Sequence, residues 1–203
     1  MGIQVIYVLT HDSIGLGEDG PTHQPIAHLA SLRAMPNINV FRPADANETI
    51  AGWKIALKST NRPTCLVLTR QNLPIMNPDV ASQAEKGGYV IAEDEGFETI
   101  IISSGSEVEI ALEAKEKLNS DRINVRVVSM PCTELFDEQD ASYRESILPK
   151  SCVKRVAIEA GATQSWYKYV GLEGKIIGLD RFGASAPYKE IYEKLGITSD
   201  NVV

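Results

Sequence analysis

The chain has 203 residues, 43% hydrophobic and 23% charged, with 15 Gly and 10 Pro. At this length folding buries roughly 70% of the unfolded surface, so one large domain or two small ones can stand without a disulfide or metal staple, and disorder and collagen-like repeats are excluded. The formal net charge of −7 argues against nucleic acid or an anionic membrane surface as partner.

No apolar run approaches a transmembrane helix, and nothing near the first residues reads as a signal peptide. Cys65, Cys132 and Cys152 lack CxxC spacing and are expected to be buried or free thiols of a reducing, cytoplasmic compartment. Charge is uneven. Residues 1–80 hold six Lys/Arg and six Asp/Glu, while 81–203 hold 14 and 21, and all three histidines lie in the first part. The groups suited to chemistry near pH 7 are therefore gathered at one end.

In chain order, Val5–Leu9 predicts a buried strand, followed by a Gly- and Pro-rich loop from His11 to Pro25. Ile26–Met35 has helical spacing, stopped by Pro36. Asn39–Phe41 predicts a strand. Asp45 with Glu48 three residues on reads as a capping box opening a helix to about Lys58. Cys65–Leu68 is continuously apolar, as in a parallel sheet covered on both faces.

Gln71–Gly88 is the linker candidate. After it, strands are expected at Tyr89–Ala92, Thr99–Ile102, Asn124–Val128, Val156–Ile158 and Ile176–Gly178. Helices are expected at Glu107–Leu118, capped by Ser106, near Tyr143–Ile147, at Ser165–Tyr169 and at Tyr188–Leu195. The fold class is α/β: two units of alternating strand and helix with mostly parallel sheets, the first unit incomplete. The boundaries are 1–75, a linker over 76–88, and 89–203. Both ends read as cut, as in a piece of a longer chain.

Gly15-Leu16-Gly17-Glu18-Asp19-Gly20 matches GxGxxG after a strand, but a dinucleotide fingerprint needs its last glycine in the opening turn of a helix. Pro21 and Pro25 forbid a helix before residue 25. Glu18 and Asp19 would each repel a phosphate charge by roughly 3 kcal/mol at about 5 Å and an effective dielectric near 20. These glycines instead shape a loop at the carboxyl end of a parallel strand, where open α/β sheets place ligands. Asp12 and Ser13 fit simple turn caps. His28, on the apolar side of its helix, reads as a core or interface histidine. His11, Asp19 and His23 remain as candidates. Arg70, at the carboxyl end of a buried strand, is either a phosphate-gripping guanidinium or half of a surface ion pair. Glu159, Asp180, Arg181 and Cys152 read as structural.

The run from Thr10 to Pro25 resembles the long motif of transketolases, enzymes dependent on thiamine diphosphate. The resemblance continues collinearly through Leu32-Arg33-Ala34-Met35-Pro36, Phe41-Arg42-Pro43-Ala44-Asp45 and Thr69-Arg70-Gln71-Asn72-Leu73-Pro74. Further on it takes in Lys86-Gly87-Gly88-Tyr89, Ser104-Gly105-Ser106-Glu107-Val108, Tyr143-Arg144-Glu145-Ser146 and Phe182-Gly183-Ala184-Ser185. It covers essentially the whole chain, as the end of the family's pyrimidine-binding domain plus most of its C-terminal domain.

The resemblance implies transfer of a two-carbon ketol group from a ketose phosphate to an aldose phosphate, with thiamine diphosphate and a divalent cation (Mg or Ca). It implies that His11 and His23 are catalytic, with His23 near the cofactor's aminopyrimidine. His11, Asp19, His23 and Arg70 would bind substrate, His11 facing the sugar, Asp19 a hydroxyl and Arg70 the phosphate. A neutral imidazole suits proton exchange near pH 7, and a carboxylate suits a sugar hydroxyl. No Gly-Asp-Gly occurs, so the metal and diphosphate motif lies outside this sequence. The chain alone is then expected to be inactive. Its partners would be sugar phosphates, the N-terminal part of the same protein and, when complete, a second copy in a homodimer. Two alternatives stay open: a dihydroxyacetone synthase-like transfer, and a non-catalytic binding or regulatory module.

Overall fold

In the computed structural model, which describes residues 2–76 and 82–203, the apolar run Thr64–Leu68 forms the central strand of a three-stranded parallel sheet. In chain order its elements are β1 (Ile6–Thr10), α1 (His28–Arg33), β2 (Asn39–Phe41), α2 (Ala46–Lys58) and β3 (Thr64–Leu68), in strand order β1-β3-β2. β3 is buried along most of its length because strands flank it on both edges. β1 pairs with it from Ile6 opposite Thr64 to Thr10 opposite Leu68.

The expectation that β1 is buried is corrected here. Among the described residues it is an edge strand, and Tyr7, Val8 and Leu9 are 47%, 47% and 39% exposed. Composition reports that a strand is apolar, but not which edge it occupies.

The linker expected over 76–88 overlaps residues 77–81, which lie outside the described residues; Ser82–Lys86 is a 3-10 turn. Then follow β4 (Tyr89–Glu93), β5 (Thr99–Ser103), α3 (Glu107–Ser120), β6 (Val125–Ser129), α4 (Thr133–Asp137) and α5 (Ala141–Ile147). The chain continues through β7 (Arg155–Ile158), α6 (Tyr167–Val170), β8 (Lys175–Ile177), α7 (Tyr188–Leu195) and α8 (Ser199–Val202). The second sheet has the order β4-β6-β5-β7-β8, with β4 antiparallel and the other pairs parallel. The fold is therefore α/β with mostly parallel sheets.

Local chemistry explains most of these limits. Asp45 has extended backbone and its carboxylate accepts the Glu48 amide at 2.8 Å, capping α2. Glu48 reaches back to the amide of Ala44 at 2.6 Å, one residue earlier than the reciprocal bond of a capping box. Gly196 closes α7 in the left-handed conformation at φ 79°. Ser106 departs from expectation. It is helical at φ −59°, makes no side-chain cap, and donates its hydroxyl to Glu107 at 2.7 Å. The adjacent buried carboxylate is the stronger acceptor.

The two sheets share their interior. Phe41, Ile55 and Leu66 pack in one cluster with Tyr89 and Cys132, and Ile14 and Ile26 join the core formed by α3, β5, β7 and α7. A buried ionic network runs between the units. Arg42, fully buried at the end of β2, donates to Asp12 at 2.7 Å, to Glu107 at 2.5 Å and to the carbonyl of Ser104 at 2.8 Å. Glu159 accepts both Arg33 Nη1 and Nη2, at 2.7 and 2.8 Å, with the Ser104 hydroxyl and the Trp166 indole completing its shell. Gly105, at φ 60°, lets the backbone lie against Arg42; a Cβ there would stand 2.5 Å from the guanidinium carbon.

Removing one partner of a buried, hydrogen-bonded charge cluster leaves the others uncompensated. Arg42→Met is therefore expected to cost about 3–5 kcal/mol of unfolding free energy in urea titration. Lys58→Ala, which breaks an exposed 3.3 Å pair with Glu85, should cost less than about 1 kcal/mol. Equal effects from the two would contradict the central place of Arg42.

Candidate functional site

The loop after β1 is built from turns rather than from a helix. Amide-to-carbonyl bonds from Leu16 to Ser13, Gly17 to Ile14, Gly20 to Gly17 and His23 to Gly20 carry the chain forward three residues at a time. Ser13 caps the first turn by accepting the Gly15 amide at 3.2 Å, as expected of it. Gly17 and Gly20 supply φ of 87° and 79°, which side-chain-bearing residues rarely adopt. The first α-helix after β1 begins at His28, so no helix N-terminus sits behind the glycines to hold a pyrophosphate.

Asp12 is not the exposed turn cap expected of it. It is 4% exposed and turned inward onto Arg42. Its partner lies 30 positions away, so short-range patterning points only to the turn. The reversal of side-chain direction occurs at His11, which has φ 65°. A left-handed residue at the end of β1 sends the Asp12 carboxylate into the interior and leaves His11 half-buried at the surface.

His11 Nδ1 lies 2.8 Å from the Thr10 hydroxyl, and His23 Nδ1 lies 2.9 Å from that of Thr22. The two imidazoles face adjoining clefts. One, of about 880 Å³, is lined by residues 21–28 with Ala162, Asp180, Arg181 and Phe182, and contains His23. The other, of about 490 Å³, lies over the end of β1 and contains His11. Pro25, Ala27 and His28 form the wall between them. His28 is thus exposed at the first turn of α1, not in the core. Helical spacing indicated an apolar side, but α1 starts at His28 and its inward positions are Leu29 and Ala30.

Asp19 is exposed at the tip of the loop and lines neither cleft. Arg70 is exposed two residues past β3. Because Thr10 pairs with Leu68 in parallel register, His11 and Arg70 leave the sheet at the same carboxyl edge. Of the four candidates, the register thus brings His11 and Arg70 to one edge, and only the two histidines line the clefts.

Several residues that hold this arrangement carried no local signal. Gln24 is buried, and its amide nitrogen donates to the carbonyls of Gly17 and Ala184, each at 2.9 Å. Tyr192 donates to Glu107 at 2.7 Å, and Glu107 also accepts the amide of Ala160 at 3.0 Å. Glu159 has the structural place expected of it, beneath α1. Asp180 accepts the amide and hydroxyl of Thr163 at 3.0 and 2.7 Å. The three cysteines are buried and free.

The electrostatics of the interior are divided. Burial raises the Asp12 carboxyl above its usual range, against the opposing pull of Arg42. Burial acts on Glu159 in the same direction, but the Arg33 guanidinium, with help from Arg42 and Ser104, outweighs it and holds this carboxyl at about 2. Among the described residues no cation is paired with Glu48. Burial pushes it to about 6 in spite of the Ser129, Ala44 and Tyr89 donors.

Among the described residues no three His, Cys, Asp or Glu side chains come together to hold a metal ion. The donor set of the described residues does not fit a metal–diphosphate centre. No helix among the described residues is long and apolar enough to cross a membrane.

Residues 1–76 match the family model of the transketolase pyrimidine-binding domain, and residues 87–198 match that of the transketolase-like C-terminal domain. The chain belongs to the transketolase family. It is 55% identical over 203 residues to a probable transketolase of Streptococcus pneumoniae, covering all of this chain and 31% of that relative. Among solved structures, transketolase from Leishmania mexicana superposes with a TM-score of 0.93 at 46% identity, over 98% of this chain and 29% of that one. A Pichia stipitis transketolase in complex with sedoheptulose-7-phosphate gives 0.90 at 46% identity, over 95% and 28%. A split-gene transketolase described as an inactive β4 tetramer gives 0.79 at 27% identity, over 100% and 65%. The chain spans about three-tenths of the length of the first three of these relatives.

The shifted carboxyls give opposite pH dependences. Glu159, with its folded value depressed, contributes stability that is present above about 4.5 and lost as pH falls toward 2. Glu48, with its folded value raised, contributes stability present below about 4.5 and lost as pH rises through about 6. Raising it from 4.5 to about 6 corresponds to on the order of 2 kcal/mol. Urea unfolding at pH 4.5 and 7.5 is expected to show Glu48→Gln gaining about that much relative to the parent at the higher pH. An unchanged difference between the two pH values would contradict the assignment.

Proposed function

We propose that this chain forms the substrate-facing loop and C-terminal domain of a transketolase that moves a two-carbon ketol group from a ketose phosphate to an aldose phosphate. The observation that carries the reading is the pair of histidines, His11 and His23, on one turn-built loop facing two clefts with a common wall. Arg70 leaves the same edge of the sheet. The sugar phosphate bound by the Pichia stipitis relative supports a phosphorylated substrate.

In this reading His11 faces the sugar, and His23 stands near the reacting centre and the aminopyrimidine of thiamine diphosphate. Either imidazole can take up or release a proton at Nε2, since each Nδ1 is engaged by the threonine hydroxyl before it. Asp19 accepts a hydrogen bond from a substrate hydroxyl, and Arg70 grips the phosphate through its guanidinium fork. Thiamine diphosphate and its Mg or Ca ion are held by residues outside this sequence. The complete protein is a cytoplasmic homodimer of the pentose phosphate pathway, and residues 76–88 link the two domains. The inactive split-gene assembly supports the view that this chain alone does not turn over.

The purified chain is expected to show no ketol transfer, and to gain it when completed with the N-terminal part of a transketolase, thiamine diphosphate and Mg. In the completed enzyme Arg70→Ala should raise KM for the ketose phosphate by roughly 10- to 100-fold, the worth of a hydrogen bond to a charged group, with a smaller effect on kcat. His23→Ala should lower kcat. Turnover by the chain alone, or an Arg70→Ala enzyme whose KM for the ketose phosphate is unchanged, would overturn these assignments.

A further inference from the structure

The loop of residues 14–26 is anchored in the second unit at both of its ends. Ile14 is fully buried and Ile26 is 8% exposed, and both belong to the core built around Ile101, Val127, Ile158 and Ile191. Between these anchors, Glu18, Asp19 and residues 21–23 are exposed. A turn-built loop that is open to solvent on one side keeps its shape only if something braces its other side.

That brace is the segment from Asp180 to Pro187. The Ser185 hydroxyl donates to the carbonyl of Glu18, which belongs to the peptide leading into Asp19. Fixing that carbonyl fixes the plane of the peptide and hence the direction in which the Asp19 Cα leaves it. Gln24 forms the second tie. One buried amide nitrogen bonds Gly17, at the start of the exposed stretch, and Ala184, across the domain boundary. Gly183 makes the close approach possible, because a Cβ there would collide with the Gln24 amide oxygen and stand 3.0 Å from the Ile14 Cγ2. A Cβ on Gly20 would lie 3.2 Å from the Ser185 Cβ, so the two segments are in contact along their length. Arg181 and Phe182 then line the cleft that contains His23.

We propose that residues 180–187 are a clamp by which the C-terminal domain sets the position of Asp19 and His23, making Gln24, Gly183 and Ser185 positioning residues. This rests on the reading of that loop as substrate-facing. A site that recognises a sugar hydroxyl tolerates displacements of only about 0.5 Å, and a single bond to the peptide before Asp19 is of the right scale to control this.

The test uses two readouts. In the chain itself, amide hydrogen exchange at Gly17, Gly20 and His23 is compared with that at Ile100–Ile102 in β5. Ser185→Ala and Gln24→Ala are expected to speed exchange in the loop by about five- to tenfold, the worth of one hydrogen bond, and to leave β5 unchanged. Ser185→Thr, which keeps the hydroxyl, should restore protection. In the enzyme completed with a transketolase N-terminal part, Ser185→Ala should raise KM for the ketose phosphate about five- to tenfold, with kcat within about twofold. Loop exchange that does not respond, or that rises equally in β5, overturns the clamp. Faster loop exchange with an unaltered KM in an active enzyme overturns its positioning role. If the loop responds but the completed parent enzyme shows no ketol transfer, the clamp stands and the functional reading of the loop falls.

Discussion

The Arg42 guanidinium is the point on which the two units of this chain are fastened. It sits at the end of β2 with no solvent exposure, and its donors reach the loop after β1 through Asp12, the Ser104 carbonyl after β5 and the first residue of α3 through Glu107. Arg33, on α1, repeats the pattern on Glu159 at the end of β7. Two cations thus face three carboxylates in a buried interface, and that burial, with a smaller push from Glu107, raises the Asp12 carboxyl against the pull of Arg42. Charge clusters of this kind contribute little net stability compared with apolar packing, but they tolerate few alternative geometries. Their effect is to define how the two sheets meet.

From that fixed meeting the site follows. Asp12 can be drawn inward only because His11 takes a left-handed backbone, and the same reversal presents the His11 imidazole to the cleft over β1. Glu48 makes a second junction, accepting from Tyr89 and Ser129 of the other sheet. Polar residues at strand ends, rather than an apolar seam alone, therefore place the loop that carries His23 and Asp19.

What was legible in the sequence was what depends on near neighbours. β2 and α7 have the limits that spacing indicates, Asp45 caps α2, and the proline-bounded glycine run is a loop and not a helix start. What was not legible depends on partners far along the chain. Asp12 read as a turn cap because Arg42 is 30 positions away, and Ser106 read as a helix cap because nothing local shows that Glu107 is buried. His28 read as a core or interface residue on a helix taken to begin two residues earlier, and its exposure removes only the core half of that reading; β1 read as buried because apolar content is the same at an edge and at a centre. The long motif found the candidate residues. It gave no role to Gln24 or Tyr192, which make contacts 160 and 85 positions away.

The bracket of Gln24 against Gly183 bears on modularity. A side chain at position 183 would require the Gln24 amide to move, so a change at either position bears on the other. The two positions lie in different domains, so a change at one is felt across the boundary between them. Exchange of whole domains between relatives, joined between the two sheets, would therefore bring together halves of a fitted pair from different parents. A chain that looks divisible on paper is, at this contact, fitted as a single piece.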